Sequence, residues 1–264
     1  MQLNTEKMIA EVEDGIGWMT FNNPERRNAL SLEMWEGISA IMESFQRDDA
    51  VRVVVMKGAG DKAFVSGADI SQFDEKRANA EQAEAYSATM AGARRRLAEL
   101  DKPLIAMIRG YCLGGGLTVA LNADIRIASE DSQFGVPAAR LGIAYGYDAM
   151  KQLVDLVGPS FAKEIAFSAR RLSAEETLRI GLVNRVVPAG ELEKTVRELA
   201  VTIATNAPMS VRAAKFTIGE TLRDPGKRDF DAMERMVKAC FESQDYVEGR
   251  TAFMQKRKPN FTGQ

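Results

Sequence analysis

Two short segments, each at a predicted strand-to-helix corner, contain the residues best suited to chemistry. Residues 110–116 are dense in glycine, and their backbone N–H groups would lie at the positive end of the following helix, where anions bind. The Ser66-Gly67-Ala68-Asp69 segment occupies the equivalent corner of the preceding unit and would supply a second N–H donor. Two converging donors predict an oxyanion hole, a site that stabilises negative charge on an oxygen atom.

Three other uses of glycine compete with this interpretation. A phosphate-binding P-loop requires a lysine followed by Ser or Thr after the glycines, and this segment has no such pair. A dinucleotide fingerprint requires a third glycine where this chain has Val119. A purely structural role, in which the glycines only permit positive φ angles and close packing, stays open.

The chain contains no histidine, which narrows the possible chemistry. Ser-His-Asp and Cys-His triads and imidazole-based zinc sites are excluded, so acid–base steps would use carboxylates, tyrosine, lysine or water. The 35 basic and 37 acidic residues give a net charge of −2. This balance argues against nucleic acid as a partner, because such binding requires a clustered basic surface.

Hydrophobic periodicity predicts the elements that must position these corners. Two apolar segments around Asp14-Gly15 predict a hairpin with strands at residues 8–12 and 16–21. Ser31 is a predicted N-cap for a helix with an apolar stripe. A strand-turn-helix unit then recurs from residue 51 to about residue 187. The predicted fold class is therefore α/β, with a spiral core whose turns stack on one another.

The last quarter of the chain is predicted to be helical. Three helices with apolar stripes follow Pro188, the stripes beginning at Leu192, Val211 and Phe230. We therefore divide the chain into a core at residues 1–190 and a C-terminal helical region at residues 191–264. Because these helices carry several large apolar side chains, we expect them to pack on the core, on a neighbouring subunit, or on both, in an oligomer.

Composition also predicts a location. The longest apolar runs are far shorter than the roughly 18 residues needed to cross a bilayer, so no membrane segment is predicted. Residues 1–13 carry charges throughout, without the apolar core of a signal peptide. The two cysteines suit a reducing compartment. The expected location is the cytoplasm.

Several short motifs occur in an order and spacing that carry more information than any one of them. They are Asn22-Asn23-Pro24, Asn28-Ala29-Leu30, Ser66-Gly67-Ala68-Asp69-Ile70, Gly110-Tyr111 with Gly114-Gly115-Gly116, Ala123-Asp124-Ile125-Arg126, Phe134-Gly135 with Pro137, Gly181-Leu182-Val183-Asn184, and Glu248-Gly249-Arg250 with Phe253 and Lys256. Together they resemble the enoyl-CoA hydratase/isomerase (crotonase) superfamily nearly from end to end. The resemblance implies a crotonase-type spiral with a C-terminal helical oligomerisation region, assembled as a homotrimer or a dimer of trimers.

The resemblance also implies the roles of individual residues. The N–H groups of Ala68 and Gly115 would hold the thioester oxygen of an acyl-CoA substrate while the reaction passes through an enolate. Coenzyme A would enter as part of the substrate, with no permanently bound cofactor and no metal. The residues expected to contact it are Arg26 or Arg27 at the phosphates, Ser66, Ala68, Asp69 and Ile70 along the channel, and Phe253 and Lys256, often from a neighbouring subunit.

Two positions depart from the hydratase pattern. Thr118 and Ala138 stand where the hydratases have glutamates. Hydration needs one group to activate water and another to deliver a proton, and each typically contributes about 10² to 10⁴ in rate. Ordinary hydration is therefore not expected, and Ala138 also weakens an isomerase interpretation. A protein that binds acyl-CoA without turning it over is an alternative, whereas the RNA-binding use found in some relatives is disfavoured by the near-neutral charge.

Tyr145 suggests a different reaction. It is similar in position to the active-site tyrosine of methylmalonyl-CoA decarboxylases, although those enzymes commonly carry a histidine where this chain has Ala68. Decarboxylation or another lyase reaction of a malonyl-type thioester needs no strong base, because loss of CO₂ itself generates the enolate. A neutral tyrosine would orient the carboxylate.

Other acidic and aromatic residues leave further alternatives. Asp148 is a candidate catalytic base if burial desolvates it, and otherwise a loop or helix-cap residue. Tyr147 would line an acyl pocket or fill the core. Asp124 and Cys112 are assigned to structure. Carboxylates that could have replaced the two glutamates are Asp74, Glu75, Glu81 and Glu84.

Overall fold

The structure, a computed structural model, describes residues 3–69 and 79–264. Within these ranges the strands are β1 (Met8–Glu13), β2 (Ile16–Phe21), β3 (Val53–Gly58), β4 (Ala63–Val65), β5 (Leu104–Ile108), β6 (Tyr111–Leu113), β7 (Ile125–Ser129), β8 (Gln133–Gly135), β9 (Leu172–Ser173) and β10 (Arg185–Val187). The helices are α1 (Leu32–Arg47), α2 (Ala80–Ala98), α3 (Gly115–Ala120), α4 (Tyr147–Ser168), α5 (Ala174–Arg179), α6 (Leu192–Ala204), α7 (Pro208–Thr221), α8 (Phe230–Glu242) and α9 (Gln244–Gln255).

The strands of the described segments form two sheets. The larger has the order β1-β2-β3-β5-β7-β10, in which the β1–β2 hairpin is antiparallel and the other neighbours are parallel. The smaller has the order β4-β6-β8-β9, with only the β8–β9 pair antiparallel. Parallel neighbours require long crossover connections, and here these contain helices. The predicted α/β class is therefore confirmed.

Both faces of the larger sheet are buried. Val54 and Met56 of β3 face the main core, which also contains the apolar stripe of α1. Val53 and Val55 point to the opposite face, where they pack with Val196 of α6. Because side chains alternate along a strand, covering both faces requires strands that are apolar throughout. All six residues of β2 are buried for the same reason.

The pairing of β4 with β6 positions the two corners singled out above. Val65, the last residue of β4, pairs with Cys112 of β6, and the two strands are parallel. Carboxyl ends of parallel strands meet at the same edge of a sheet, the usual place for ligand sites in α/β folds. Residues 66–69 and the turn at Gly114 therefore leave the small sheet side by side.

The predicted hairpin and first helix are confirmed. The hairpin strands pair from Met8 with Phe21 to Glu13 with Ile16. Ser31 occupies the N-cap position of α1, but its side chain makes no capping hydrogen bond there. The glycine-rich segment also contains strand β6, which the periodicity did not distinguish because three residues are too few to show alternation.

The C-terminal region contains the four helices α6 to α9, so the prediction of three was wrong. Helix α9 was missed because it has no apolar stripe: only Asp245 and Ala252 of its residues are buried. Helix α6 covers the larger sheet, whereas α8 and α9 expose large apolar side chains. The division at residue 190 stays a prediction. In residues 3–69 and 79–264 no helix is long and apolar enough to cross a membrane.

Candidate active site

Two glycines shape the corner between β6 and α3. Gly114 has a φ of +54°, a left-handed value that glycine adopts without the steric cost of a side chain. Its N–H donates to the Gly135 carbonyl at 2.9 Å. Gly116 allows close packing, because a methyl carbon at this position would lie only 2.1 Å from the Val65 carbonyl oxygen. The start of α3 is therefore packed directly against the end of β4.

The segment at residues 66–69 is held by a bridge to Leu30. The Leu30 N–H donates to the Gly67 oxygen at 2.8 Å, and the Leu30 carbonyl accepts from the Asp69 N–H at 2.8 Å. In a parallel bridge these two bonds flank Ala68, whose own N–H points away from Leu30. The start of α3 lies close by, since a methyl carbon built on Gly115 would be 3.7 Å from the Ala68 nitrogen. The structure thus brings together the two predicted oxyanion residues.

The two N–H groups suit an oxygen that gains negative charge. Gly115 is the first residue of α3, so the helix itself offers its N–H no hydrogen-bond partner. The helix dipole adds a partial positive charge at this end. Donors that are preorganised in this way are worth roughly 3 to 4 kcal/mol each in the transition state of acyl transfer.

The loop before α1 anchors the Ala68 segment. The Ser66 N–H donates to the Arg27 carbonyl at 3.1 Å. The buried Asn28 donates its side-chain amide to the Ala63 carbonyl at 2.7 Å, at the start of β4. These bonds tie the segment that contains the first oxyanion donor to the loop that precedes α1.

Arg26 and Asp69, both predicted to contact coenzyme A, form an ion pair beside this corner. The guanidinium lies 3.5 Å from the carboxylate, with 58% of the arginine side chain and 8% of the aspartate side chain exposed. The pair places a cation next to Ala68. Ile70, which belongs to the same predicted channel, lies outside the described residues.

Tyr145 lies at the glycine corner. Its hydroxyl oxygen is 3.4 Å from the methyl carbon that a side chain on Gly114 would introduce, and its ring packs against the main core. Burial raises the pKa of Tyr145 above its usual value, and the nearby Arg94 opposes this only in part. The hydroxyl is therefore protonated near neutral pH and can donate a hydrogen bond.

Arg94 of α2 is a residue of this neighbourhood that the sequence analysis missed. Burial lowers the pKa of Arg94, and the ionised form of Tyr145 and the charge of Asp148 oppose that shift. The three side chains are therefore electrostatic neighbours. A signal was present in the sequence: Arg94 follows Met90 and Tyr86 at intervals of four, which puts a charge on the apolar stripe of α2.

Thr118 and Ala138 do not supply acid–base groups. Thr118 is buried and donates its hydroxyl to the Gly115 carbonyl at 2.8 Å, so its proton is used within α3. Ala138 lies in the short 3-10 turn Pro137–Leu141 and packs against the main core. The two places at which the resemblance expects glutamates thus contain no group that ionises near neutral pH.

The other candidate acids are exposed or lie elsewhere. Asp148 is exposed in the first turn of α4, so the burial that a base role required is absent and the helix-end alternative fits its position. Tyr147 is 74% exposed and does not fill the core. Glu81 and Glu84 are exposed on α2. Asp74 and Glu75 lie outside the described residues.

The two C-terminal residues predicted to contact coenzyme A lie at the end of α9. Phe253 lines an open, mostly apolar groove of about 530 Å³ formed with residues such as Phe241 and Tyr246. The lining of this groove includes neither Ala68 nor Gly115. Lys256 is exposed at the end of α9. Phe253 thus lines a groove to which neither oxyanion residue of its own chain contributes.

Asp124 and Cys112 have the structural surroundings that the sequence suggested. The Asp124 carboxylate accepts hydrogen bonds from the Leu104 N–H at 2.7 Å and from Lys215 at 2.9 Å. Burial raises the pKa of the Cys112 thiol well above its usual range. Among the residues that the structure describes, no group of three or more His, Cys, Asp or Glu side chains is placed to hold a metal ion.

Residues 11–264 match the family described as Enoyl-CoA hydratase/isomerase. The chain belongs to this family. It is 37% identical to the short-chain-enoyl-CoA hydratase of Clostridium acetobutylicum, over 98% of this chain and 97% of that protein. It is 35% identical to the crotonyl-CoA hydratase of Syntrophomonas wolfei, over 97% of this chain and 98% of that protein.

Solved structures of the family have the same fold. The crystal structure of an enoyl-CoA hydratase/carnithine racemase from Magnetospirillum magneticum superposes with a TM-score of 0.93 at 38% identity, covering 99% of this chain and 97% of that one. An enoyl-CoA hydratase from Bacillus anthracis gives 0.91 at 31% identity, covering 98% of this chain and 100% of that one. The crotonase-type fold is thus confirmed, and the protein is an acyl-CoA enzyme of the enoyl-CoA hydratase/isomerase family.

Proposed function

We propose that this enzyme binds the thioester oxygen of an acyl-CoA with the N–H groups of Ala68 and Gly115 and carries out its reaction through an enolate. The observation that supports this is the close approach of the two corners. A methyl carbon added to Gly115 would lie 3.7 Å from the Ala68 nitrogen. An enolate oxygen carries more negative charge than the thioester oxygen, so the donors favour the enolate over the ground state. The proposal needs no permanently bound cofactor.

Hydration is the reaction that the family relatives suggest and that this site supports least. Adding water across a conjugated double bond requires a base for the water and an acid for the α-carbon. Thr118 uses its hydroxyl proton within α3, and Ala138 has no ionisable group. Isomerisation would also need a proton carrier. Both reactions would therefore depend on a carboxylate from outside these two positions.

Decarboxylation of a malonyl-type thioester is the reaction that Tyr145 favours. The bond between the α-carbon and the carboxylate breaks, its electron pair forms the enolate, and CO₂ leaves. The α-carbon then takes up a proton from solvent water. The protonated Tyr145 hydroxyl would orient the carboxylate before the bond breaks, and its approach to Gly114, 3.4 Å from an added methyl carbon there, supports this role. A protein that only binds acyl-CoA is the alternative of another class.

Two assays on the full chain test this proposal. One follows the loss of conjugated absorbance of crotonyl-CoA, and the other follows CO₂ release from methylmalonyl-CoA. We expect CO₂ release that falls roughly 10²-fold or more in Tyr145→Phe, in line with the loss of a positioned proton donor. Tyr147→Phe is the matched control, because this neighbouring ring is 74% exposed.

The other outcomes of these assays are also informative. Rapid hydration of crotonyl-CoA, near the 10 s⁻¹ or so that is common for enzymes, would contradict the decarboxylase proposal and point to a relocated carboxylate. Tight binding of both thioesters without turnover would support the acyl-CoA-binding alternative. Failure to bind any CoA thioester would contradict the proposal as a whole.

We also propose a homotrimer or a dimer of trimers in which α8 and α9 contribute to the subunit contacts. The support is the set of apolar side chains that one chain exposes there, which are Phe230, Val237, Phe241, Tyr246, Val247 and Phe253. Such an assembly would let Phe253 and Lys256 reach coenzyme A bound to a neighbouring subunit, and Arg26 would reach its phosphates. A cytoplasmic location stays a prediction from composition.

A further inference from the structure

Arg94 differs from the other arginines of helix α2. Arg95 and Arg96 are exposed and pair with glutamates, Arg95 with Glu99 at 2.7 Å and Arg96 with Glu43 at 3.9 Å. Arg94 is half-buried, and its Nη2 contacts the Met90 sulfur at 3.8 Å. The arginine thus lies along the apolar face of the helix and is only partly exposed to solvent.

The guanidinium of Arg94 has an unsatisfied donor. Its Nε is buried and makes no hydrogen bond. Among the ion pairs formed within residues 3–69 and 79–264, none includes Arg94. Burying a charged donor without a partner is unfavourable, so a residue of this kind calls for a specific explanation. A ligand that supplies the missing acceptor would be such an explanation.

The position of Arg94 links it to the candidate active site. Tyr145 interacts with Arg94 electrostatically, and the Tyr145 hydroxyl in turn lies 3.4 Å from the methyl carbon position on Gly114. Gly114 directly precedes the oxyanion residue Gly115. Asp148 of α4 opposes the lowering of the Arg94 pKa through its charge, but it is exposed. Arg94 therefore lies in the neighbourhood of Tyr145, the residue whose hydroxyl borders the glycine corner.

We propose that the substrate acyl group carries a free carboxylate, so that the substrate is a monothioester of a dicarboxylic acid with coenzyme A, and that Arg94 binds this carboxylate. This inference rests on the proposed function, because it assumes that the thioester oxygen lies at Ala68 and Gly115. A planar guanidinium binds a carboxylate with two parallel hydrogen bonds and remains charged when it is partly buried. A neutral acyl chain would leave the buried donor unpaired, and the site would therefore discriminate against it.

Binding of matched thioester pairs to the full chain tests this inference. Each pair has the same number of acyl carbons, with and without the terminal carboxylate: malonyl-CoA with propionyl-CoA, succinyl-CoA with butyryl-CoA, and glutaryl-CoA with pentanoyl-CoA. We expect titration calorimetry to show at least one dicarboxylic thioester that binds roughly tenfold or more tightly than its neutral partner, as a charge-assisted hydrogen bond provides. The pair with the largest ratio of affinities identifies the preferred distance between the carboxylate and the thioester. If that pair is malonyl-CoA with propionyl-CoA, the carboxylate is on the α-carbon.

Substitutions separate Arg94 from general electrostatic attraction. Arg94→Met should abolish the preference for the dicarboxylic member of each pair. Arg94→Lys should retain part of this preference, and it provides a second test if the methionine variant does not fold. Arg95→Met removes an exposed charge from the same helix and should leave the preference intact. An Arg94→Met variant that keeps the preference would overturn the inference.

The test also distinguishes this inference from the proposed function. Equal binding of both members of every pair by the wild-type chain would overturn the inference while leaving the oxyanion proposal intact. Failure of every thioester to bind would overturn both. Weaker preference in Tyr145→Phe together with an unchanged affinity for the neutral thioesters would support a carboxylate that Arg94 and Tyr145 share.

Discussion

At the scale of single residues, the three consecutive glycines differ in what the fold requires of them. Gly114 supplies a positive φ at the turn, and Gly116 lets α3 pack against the Val65 carbonyl. Gly115 has neither constraint, because its nearest neighbours would lie at ordinary contact distances of 3.7 to 3.8 Å from an added methyl group. A side chain at Gly115 would instead enter the space beside the Ala68 nitrogen. Structure and function can therefore be separated within one triplet.

Gly115→Ala should impair activity without unfolding the protein. The added methyl group meets no close atom but occupies the space where the thioester oxygen would bind, so we expect kcat/KM to fall roughly 10²- to 10³-fold, as for the loss of an oxyanion donor. Stability in urea should change by less than about 1 kcal/mol, since alanine is favoured over glycine in a helix.

Gly116→Ala is the matched comparison. Its methyl group would lie 2.1 Å from a backbone oxygen, and the resulting displacement should cost roughly 1 to 3 kcal/mol of stability. Full activity of Gly115→Ala would contradict the placement of the oxyanion hole. Equal stability of both variants would contradict the packing argument for Gly116.

At the scale of elements, the sequence predicted those with a strong period and missed those without one. The hairpin, α1 and the buried strands were predicted because their apolar residues alternate or repeat along one face. Helix α9 has no such stripe, and β6 is too short to show one. At the site, Ala68 and Gly115 were predicted from a motif, but their approach depends on the parallel pairing of β4 with β6, which no local pattern encodes. Arg94 visibly interrupts the apolar stripe of α2, but only the packed structure reveals that its Nε has no hydrogen-bond partner.

The first helix beyond residue 190 is expected to be required for the stability of the sheet. Leu192 of α6 is buried against the larger sheet, so Leu192→Ala should lower the free energy of unfolding by roughly 2 to 5 kcal/mol. Val201 lies on the same helix and is 37% exposed, so Val201→Ala should have a much smaller effect.

Urea unfolding monitored by circular dichroism measures both variants, and the number of transitions is informative as well. A single transition in each variant would agree with α6 forming part of the core. Two transitions would instead support an independent unit that begins near residue 191, if Leu192→Ala shifts the first transition and leaves the second unchanged.

At the scale of the whole molecule, one chain contains an oxyanion corner and an apolar groove whose lining includes neither oxyanion residue. The groove of about 530 Å³ is lined by Phe241, Tyr246 and Phe253, and the aromatic rings of Phe241 and Tyr246 contact each other edge to face at 5.3 Å. Phe253 remains 83% exposed, although burying such a side chain would be favourable by about 1.5 to 3 kcal/mol. A second copy of the chain that covers this surface would bury these residues and bring Phe253 and Lys256 to the acyl-CoA of another subunit.

Phe241→Glu should therefore dissociate the assembly. The substitution places a charge in the apolar groove, where an interface would leave it unpaired, and we expect the mass from light scattering to fall from three or six times the 29.0 kDa of one chain to that of a single chain. Lys238→Glu adds acidic charge to the same helix without removing an apolar side chain, so it should leave the mass unchanged. If Phe253 and Lys256 serve a neighbouring subunit, the dissociated Phe241→Glu chain should also bind CoA thioesters more weakly while keeping its fold. A wild-type chain that is monomeric at all concentrations, or a dissociated variant with unchanged affinity, would assign coenzyme A binding to residues of a single chain.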